Sequence, residues 1–217
     1  MNKLEILLCL TYRLSILFYI SSRKSTACLG SAFAVFSCPH PHLHAIISVY
    51  KGAEHMRRKD REITNPEEIK KIIEETRILH LALFDGEYPY IVPLHYGAAE
   101  QNGLPVFYMH GALEGHKLDL IRANPHVCVE LECRIQLIPA GDNPCGYGSA
   151  YASVIGRGIA EIVEDPAEKC EGLRLLMLHQ TGRDFPISEA MASSVSVLRV
   201  RIRELSAKSR PLPPSET

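Results

Sequence analysis

The sequence predicts a mainly β protein with helices, in which about six strands form a small β-barrel and the helices pack outside it. Two observations lead to this class. Apolar runs that alternate with polar residues recur between residues 78 and 205, and hairpin-type turns separate most of them. Between some of these runs lie segments whose apolar residues recur every three to four positions, which predicts helices. A chain of 217 residues is long enough for one domain with a substantial core.

The composition argues against several classes of protein. The formal net charge is −1 with both signs mixed, whereas a nucleic-acid-binding protein would normally show a basic face. Seven cysteines occur without a CxxC pair, so we expect free thiols in a reducing compartment, the bacterial cytoplasm. No group of His, Cys and Asp residues has metal-ligand spacing, so we predict no metal site.

Residues 1–55 differ from the rest of the chain, and three interpretations compete. A signal peptide would have an uninterrupted apolar middle, but Arg13 splits the run "LEILLCLTYRLSILFYISS". The same run is too short and too charged for a membrane anchor, which needs roughly 20 apolar residues. In the third interpretation the extension is non-native and translation starts at Met56, because "KGAEHM" can be encoded with AAAGGAG, which resembles a bacterial ribosome-binding site. We favour this one, and expect a domain over residues 56–208 and a flexible tail over 209–217.

The first helix is predicted to begin at Pro66. Thr64 or Asn65 can cap its N-terminus, and proline suits the first helical position. One apolar stripe follows at helical spacing, formed by Ile69, Ile72, Ile73 and Thr76.

Six segments have the character of strands: 78–84, 88–97, 106–112, 126–138, 151–163 and 196–205. Asp85–Gly86 is a hairpin turn between the first two. Because the first three are close together in sequence, we expect them to form an antiparallel meander. Pro89 and Pro93 require the second strand to lie at an edge or to be irregular. Gly156 and Gly158 predict a bulge or a barrel bend in the fifth.

Two further helices lie between the later strands. The first stops before Pro125, and its spacing is visible in Leu113, Lys117, Leu120 and Ile121. The second begins after Asp165, which can cap it, with Pro166 at the first helical position.

The segment "YMHGALEGHK", residues 108–117, joins the third strand to a helix and has two interpretations. If the helix begins within it, the N–H groups of Gly115, His116 and Lys117 are unpaired first-turn donors, which attract anions and phosphate above all. Gly111 and Gly115 would let a ligand approach the backbone, and Lys117 would supply a positive charge. The alternative is an ordinary strand-to-helix turn with surface charges, and the spacing alone leaves both open.

Four segments in the same order resemble those of one protein family: "DGEYPYIVPLHYG", "FYMHGALEGHKLDLIRANPHVCVE", "YASVIGRGIAEIVED" and "VLRVRI". They are similar to the FMN-binding split-barrel flavoproteins related to pyridoxamine 5'-phosphate oxidase, and most of all to the nitroimidazole-resistance branch. The resemblance covers about residues 56 to 208. It implies a six-stranded split barrel that forms a homodimer and binds FMN at the subunit interface.

The resemblance also implies which residues contact FMN. They form three groups: the backbone of Val92, Pro93 and Leu94 beside the isoalloxazine, the turn with Gly111, Gly115, His116 and Lys117 at the ribityl phosphate, and Tyr151 and Ser153 elsewhere in the flavin pocket. His110 matches a position near the flavin that in this branch is associated with redox chemistry or with a small ligand. The alternative for His110 is that it only caps the strand and packs against the ring.

The activity implied by the resemblance is that of an FMN-dependent oxidoreductase. Electrons would pass from NAD(P)H or another donor to a small oxidised acceptor, with nitroaromatics such as nitroimidazoles as one candidate. The double-basic phosphate clamp and the substrate-binding signature of pyridoxamine phosphate oxidases are not recognisable, which argues against vitamin B6 oxidation. Two alternatives remain open: a non-catalytic flavin-binding protein, and a haem-binding relative on the same barrel. We expect no nucleic-acid or membrane partner.

Overall fold

The computed structural model describes residues 56–214. The predicted extension over residues 1–55 therefore lies outside the described residues. The helices are α1 (Pro66–Glu75), α2 (His116–Ala123), α3 (Pro166–Thr181) and α4 (Glu189–Ala192). The strands are β1 (Ile78–Asp85), β2 (Tyr88–His95), β3 (Gly97–Gln101), β4 (Leu104–Gly111), β5 (His126–Ile138), β6 (Gly148–Ile162) and β7 (Ser196–Arg210).

All seven strands belong to one antiparallel sheet with the order β2-β1-β5-β6-β7-β4-β3. The mainly β class with helices is confirmed. The last strand extends to Arg210, so it includes the first two residues of the segment predicted as a tail. Within residues 56–214, no helix has the length and apolar character needed to cross a membrane.

The helix starts follow from their capping residues, as predicted. The Asn65 side chain accepts a hydrogen bond from the N–H of Glu67 at 3.0 Å. The helix α1 begins at Pro66, directly after this capping residue. Asp165 caps α3 in the same way through the N–H of Glu168 at 2.8 Å. The end of α3 is set by Gly182, whose φ of 71° lies in the left-handed region.

The structure has seven strands rather than the predicted six, because the chain after the second predicted strand forms an additional strand, β3. The Tyr96 side chain is fully buried, and its hydroxyl donates hydrogen bonds to the carbonyls of Ile73 and Thr76. This anchors the chain to the end of α1 and interrupts the strand. A new strand, β3, then begins at Gly97, where a side chain would collide with the backbone of α3.

The predicted meander of the first three strands is also wrong. The strand that ends at Gly111 pairs with β3 and β7, not with β2. Its hairpin partner is β3, because Asn102 and Gly103 both have positive φ, as a two-residue hairpin turn requires. As a result, β2 and β3 form the two edges of the sheet although only Tyr96 separates them in sequence. The sheet therefore bends so that its two edges approach each other. Within residues 56–214, no hydrogen-bonded strand pair joins these edges, so the barrel is not closed.

Two other predictions about the strands are confirmed. The strand β2 lies at an edge, where Pro89 and Pro93 interrupt no ladder on the open side. The register of β6 against β7 shifts between Arg157 and Gly158, which is the bulge predicted from the glycines.

The core fills the inner face of the bent sheet. It is formed by apolar side chains of every strand except the two edges, together with one face each of α1 and α2; the largest fully buried ones include Leu79, Leu81, Phe107, Met109, Leu131, Val154, Ile72 and Leu118. The outer face is covered by α3 next to β3 and β4, where Gly172 packs on Tyr108. Elsewhere this face carries exposed apolar side chains, among them Phe84, Ile91 and Ile155.

Candidate functional site

The candidate site lies where the two edges of the sheet meet, between β2 and the end of β4. Because β2 pairs only with β1, the backbone groups along its other edge have no strand partner. Val92 and Leu94 are half-buried and face the core side, whereas Pro93 is exposed on the outer face. An edge position leaves backbone groups accessible to a ligand. It is therefore compatible with the prediction that the backbone of Val92, Pro93 and Leu94 contacts a flavin.

Gly111 and Lys117 are in direct contact at the end of β4. A β-carbon added to Gly111 would lie 2.5 Å from the Nζ atom of Lys117 and 2.8 Å from its Cε. The absence of a side chain at Gly111 thus makes room for the ammonium group. Lys117 takes part in none of the ion pairs formed within residues 56–214, so its charge is available for a ligand.

The N-terminus of α2 presents free backbone donors beside this ammonium. Gly115 occupies the N-cap position with a φ of 141°, a conformation that favours glycine, and offers no side-chain cap. The Leu118 N–H bonds to the Gly115 carbonyl at 2.9 Å and starts the helical ladder. The N–H groups of His116 and Lys117 come before that ladder and are the donors that an anion could use.

The His116 side chain turns away from these donors. Its Nε2 atom lies 2.7 Å from a carboxylate oxygen of Asp85, and its ring packs edge-on against Tyr90 with centroids 5.0 Å apart. Its contribution to an anion site is therefore limited to its backbone N–H. The sequence analysis assigned Asp85 only to a turn, and no local pattern connects it with a histidine 31 residues later.

His110 directly precedes Gly111 in β4. Its side chain faces the outer side of the sheet, and its strand partner is Val197 of β7. Partial burial lowers its pKa below the usual value of a histidine, and the positive charges of Lys117 and His95 lower it further. The imidazole is therefore neutral near pH 7.

His95 belongs to this site as well, although the sequence analysis did not place it there. It is the last residue of β2, and its charge is one of the causes that lower the pKa of His110. The Nδ1 atom of His95 is 3.3 Å from the carbonyl oxygen of Arg77. Since a carbonyl can only accept, Nδ1 carries the proton in this hydrogen bond, which leaves Nε2 as an acceptor in the neutral ring.

Ser153 lies far along β7 from the position of His110. Ser153 pairs with Lys208 of β7, whereas His110 pairs with Val197 of the same strand. These positions are eleven residues apart (208 − 197), which corresponds to roughly 36 Å along an extended strand. Both side chains lie on the outer face. Tyr151 and Ser153 are thus separated along the sheet from His110 at the end of β4.

Two pockets within residues 56–214 lie elsewhere. One of about 570 Å³ lies between α1, α3 and β3, and one of about 320 Å³ lies on the outer face beside Phe84 and Cys128. No predicted site residue lines either of them.

Comparison with known proteins identifies the family. The model of the pyridoxamine 5'-phosphate oxidase family matches residues 65–209 of the 217. The chain belongs to this family. The resemblance noted in the sequence is thus confirmed at the level of the family.

Solved structures of similar fold include members with different cofactors. A candidate 5-nitroimidazole antibiotic resistance protein from Bacteroides thetaiotaomicron is 27% identical, with a TM-score of 0.59, over 68% of this chain and 86% of that one. The flavocytochrome Anf3 from Azotobacter vinelandii is 22% identical, with a TM-score of 0.60, over 74% of each chain. A protein from Mycobacterium smegmatis that binds FAD and haem is 16% identical, with a TM-score of 0.59, over 71% of this chain and 76% of that one. The last two share the fold alone. No curated protein matches the sequence.

Proposed function

We propose that this protein is an FMN-dependent oxidoreductase that acts as a homodimer. The observation that carries the proposal is the junction of Gly111, Lys117 and the N-terminus of α2. There an unpaired ammonium lies on a glycine beside two free backbone N–H groups. This combination fits a phosphate monoester, because it offers positive charge and directed donors to one anion.

The edge of β2 supports a flavin in particular. The backbone groups of β2 that point to its open side have no strand partner, which suits the polar rim of an isoalloxazine ring. Pro93 has no N–H, so its backbone can only accept. When bound, the flavin would supply the electron-transfer chemistry, and the chain would hold it, orient it and limit access of water.

The surface of the sheet supports a dimer. The outer face of β1, β2 and β6 exposes Phe84, Ile91 and Ile155, which are 63%, 57% and 45% accessible. Exposed apolar side chains of this size on a sheet face favour burial against a partner. A two-fold dimer could complete the flavin site with residues of the second protomer.

The acceptor would bind beside His110 and His95. The positive charge of Lys117 acts on His110, and no carboxylate makes a hydrogen bond to either ring within the described part of the chain. The site therefore suits a small oxidised acceptor with electronegative oxygens, and a nitroaromatic such as a nitroimidazole has such groups. A neutral imidazole can take up a proton and deliver it as the acceptor is reduced.

The experiment that tests the proposal is an absorption spectrum of the purified full-length protein, followed by extraction and chromatography of the chromophore. We expect the two bands of an oxidised flavin and recovery of FMN. A strong Soret band with no flavin would favour the haem-binding alternative. Mixing the loaded protein with NADH or NADPH without oxygen, and then with a nitroimidazole, tests catalysis. A flavin that stays oxidised with every donor would indicate a non-catalytic flavin-binding protein.

A further inference from the structure

The larger of the two pockets is a groove between α1 and α3, with β3 as its floor. Its volume of about 570 Å³ is within the range of small-molecule sites in proteins. Most of the lining is aliphatic and comes from all three elements: Ile69, Ile73, Ala98, Ala99, Leu175 and Leu178. No residue of the candidate flavin site contributes to it.

Hydrogen bonds between the walls hold this groove open. The carbonyl of Thr76, at the end of α1, accepts from the His179 Nε2 of α3 at 2.7 Å and from the Tyr96 hydroxyl at 3.0 Å. The Tyr96 and His179 rings pack together with centroids 4.5 Å apart, and Gln180 donates to the Tyr96 carbonyl at 3.0 Å. The two helices are therefore fixed at their spacing, which makes the groove a preformed site rather than a gap between mobile elements.

Small residues in β3 leave the space unfilled. Ala98 and Ala99 occupy positions of a strand, where larger β-branched residues would normally pack well. Gly103, which follows the strand, also lines the groove. Longer side chains at these positions would close the groove between the helices.

The polar groups of the groove favour a cation. Three carboxylates line it, those of Glu67, Glu74 and Glu100, against one ammonium, that of Lys70. None of these four groups forms an ion pair within residues 56–214. The excess of negative charge therefore remains available to a ligand.

His179 adds a hydrogen-bond acceptor to the lining. Since the Thr76 carbonyl can only accept, Nε2 of His179 carries the proton, and Nδ1 of the neutral ring keeps a free lone pair. Burial and the charge of Arg77 lower the pKa of His179, which keeps the ring neutral near pH 7. A neutral imidazole can accept a hydrogen bond from a cationic donor without repelling it.

We propose that this groove binds a small amine with an apolar aromatic or alkyl body. The body would lie between α1 and α3 on the alanines of β3, and the ammonium would lie at the glutamates of the rim. The proposal does not depend on the flavin site, since the two sets of residues do not overlap.

Three probes with one aromatic body and different charges test this proposal. Tryptamine is cationic, tryptophol is neutral and indole-3-propionate is anionic. Binding to the full-length, cofactor-loaded protein can be followed by calorimetry and by the shifts of alanine methyl groups in NMR spectra. We expect tryptamine to bind about tenfold more tightly than tryptophol, with indole-3-propionate weakest, and added salt should reduce these differences.

Two variants and their matched controls locate the binding. Ala99→Leu fills the groove and should abolish binding, whereas Ala190→Leu, on the exposed surface of α4, should not. Glu74→Gln with Glu100→Gln should bring tryptamine down to the affinity of tryptophol, whereas Glu164→Gln with Glu189→Gln should leave it unchanged.

Four results would overturn the proposal. They are the absence of binding by all three probes, equal binding of the three, unchanged tryptamine binding in Ala99→Leu, and a change of oligomeric state in that variant. The last result, seen by light scattering, would mean that another copy of the chain occupies the groove. FMN content measured on each variant distinguishes these outcomes from a failure of the proposed flavin site. None of the substituted residues belongs to that site, so every variant should keep its FMN if the flavin proposal is correct.

Discussion

The ammonium of Lys117 lies on the α-carbon of Gly111, so closely that a β-carbon there would come within 2.5 Å of Nζ. This relationship connects the end of β4 with the first turn of α2. It fixes the position of a positive charge in front of the free N–H groups of His116 and Lys117. The proposed phosphate site therefore depends on the absence of one side chain as much as on the presence of another.

Gly111→Ala tests this relationship. The new methyl group would meet the far end of a flexible side chain, which can move, so folding should be little affected. The displaced ammonium should weaken FMN binding by roughly threefold to tenfold. In a Lys117→Ala background the same substitution should have no further effect, because the group that it displaces is gone. Additive losses in the double variant would show that Gly111 acts independently of Lys117.

Lys117→Glu replaces attraction by repulsion at the same point. FMN affinity, measured by fluorescence titration of the apoprotein, should fall by more than tenfold, which is about 1.4 kcal/mol. Riboflavin, which lacks the phosphate, should bind the variant and the wild type almost equally. Lys71→Glu, on the exposed side of α1, serves as a control for the change in net charge. Unchanged FMN affinity would place the anion site elsewhere.

The sequence predicted those parts of the fold that depend on neighbouring residues. Asn65 with Pro66 and Asp165 with Pro166 marked two helix starts correctly, because a cap acts on donors only two or three residues away. The edge position of β2 followed from its prolines in the same way.

The features that the sequence did not predict arise between distant residues. The break between β2 and β3 at Tyr96 depends on carbonyls 20 and 23 residues earlier in the chain, to which its hydroxyl donates. The Asp85–His116 pair likewise forms only after the sheet bends. The alternation of apolar and polar residues and the residue types of turns carry no information about such contacts. The turn at residues 108–117 could therefore be predicted from the sequence, but its position beside the edge strand β2 could not.

The proposed dimer can be tested on the exposed face of β2. Ile91→Glu puts a charge into the apolar surface and should convert dimers to monomers in light scattering, with loss of bound FMN. Met191→Glu, on α4, is a matched control, since the two side chains are 57% and 58% accessible. A wild-type protein that is monomeric and still holds FMN would contradict the proposed assembly.

His179 should make the stability depend on pH. Its pKa is lowered in the folded chain, chiefly by burial, so the unfolded chain binds more protons below the usual value of 6.5. The free energy of unfolding should therefore fall as the pH falls from about 7 to about 5. His179→Asn should lose about 1 kcal/mol at pH 8 with its hydrogen bond, but should show a smaller slope with pH in urea unfolding. Exposed His126→Asn is the control, and equal slopes in both variants would exclude His179 as the source.

His110→Ala decides whether the histidine at the end of β4 takes part in the reaction. Its ring lies beside the proposed phosphate turn but on the outer face, where it can reach the acceptor rather than the phosphate. If the ring delivers a proton, the variant should keep its FMN while acceptor reduction falls by roughly a hundredfold. Because burial, Lys117 and His95 lower the pKa of His110, the wild-type rate should rise as the pH falls below about 6.5, and this rise should disappear in the variant. Stopped-flow reoxidation of the reduced protein across pH measures both effects. Unchanged rates with a fully loaded flavin would leave His110 as a packing residue that only ends the strand.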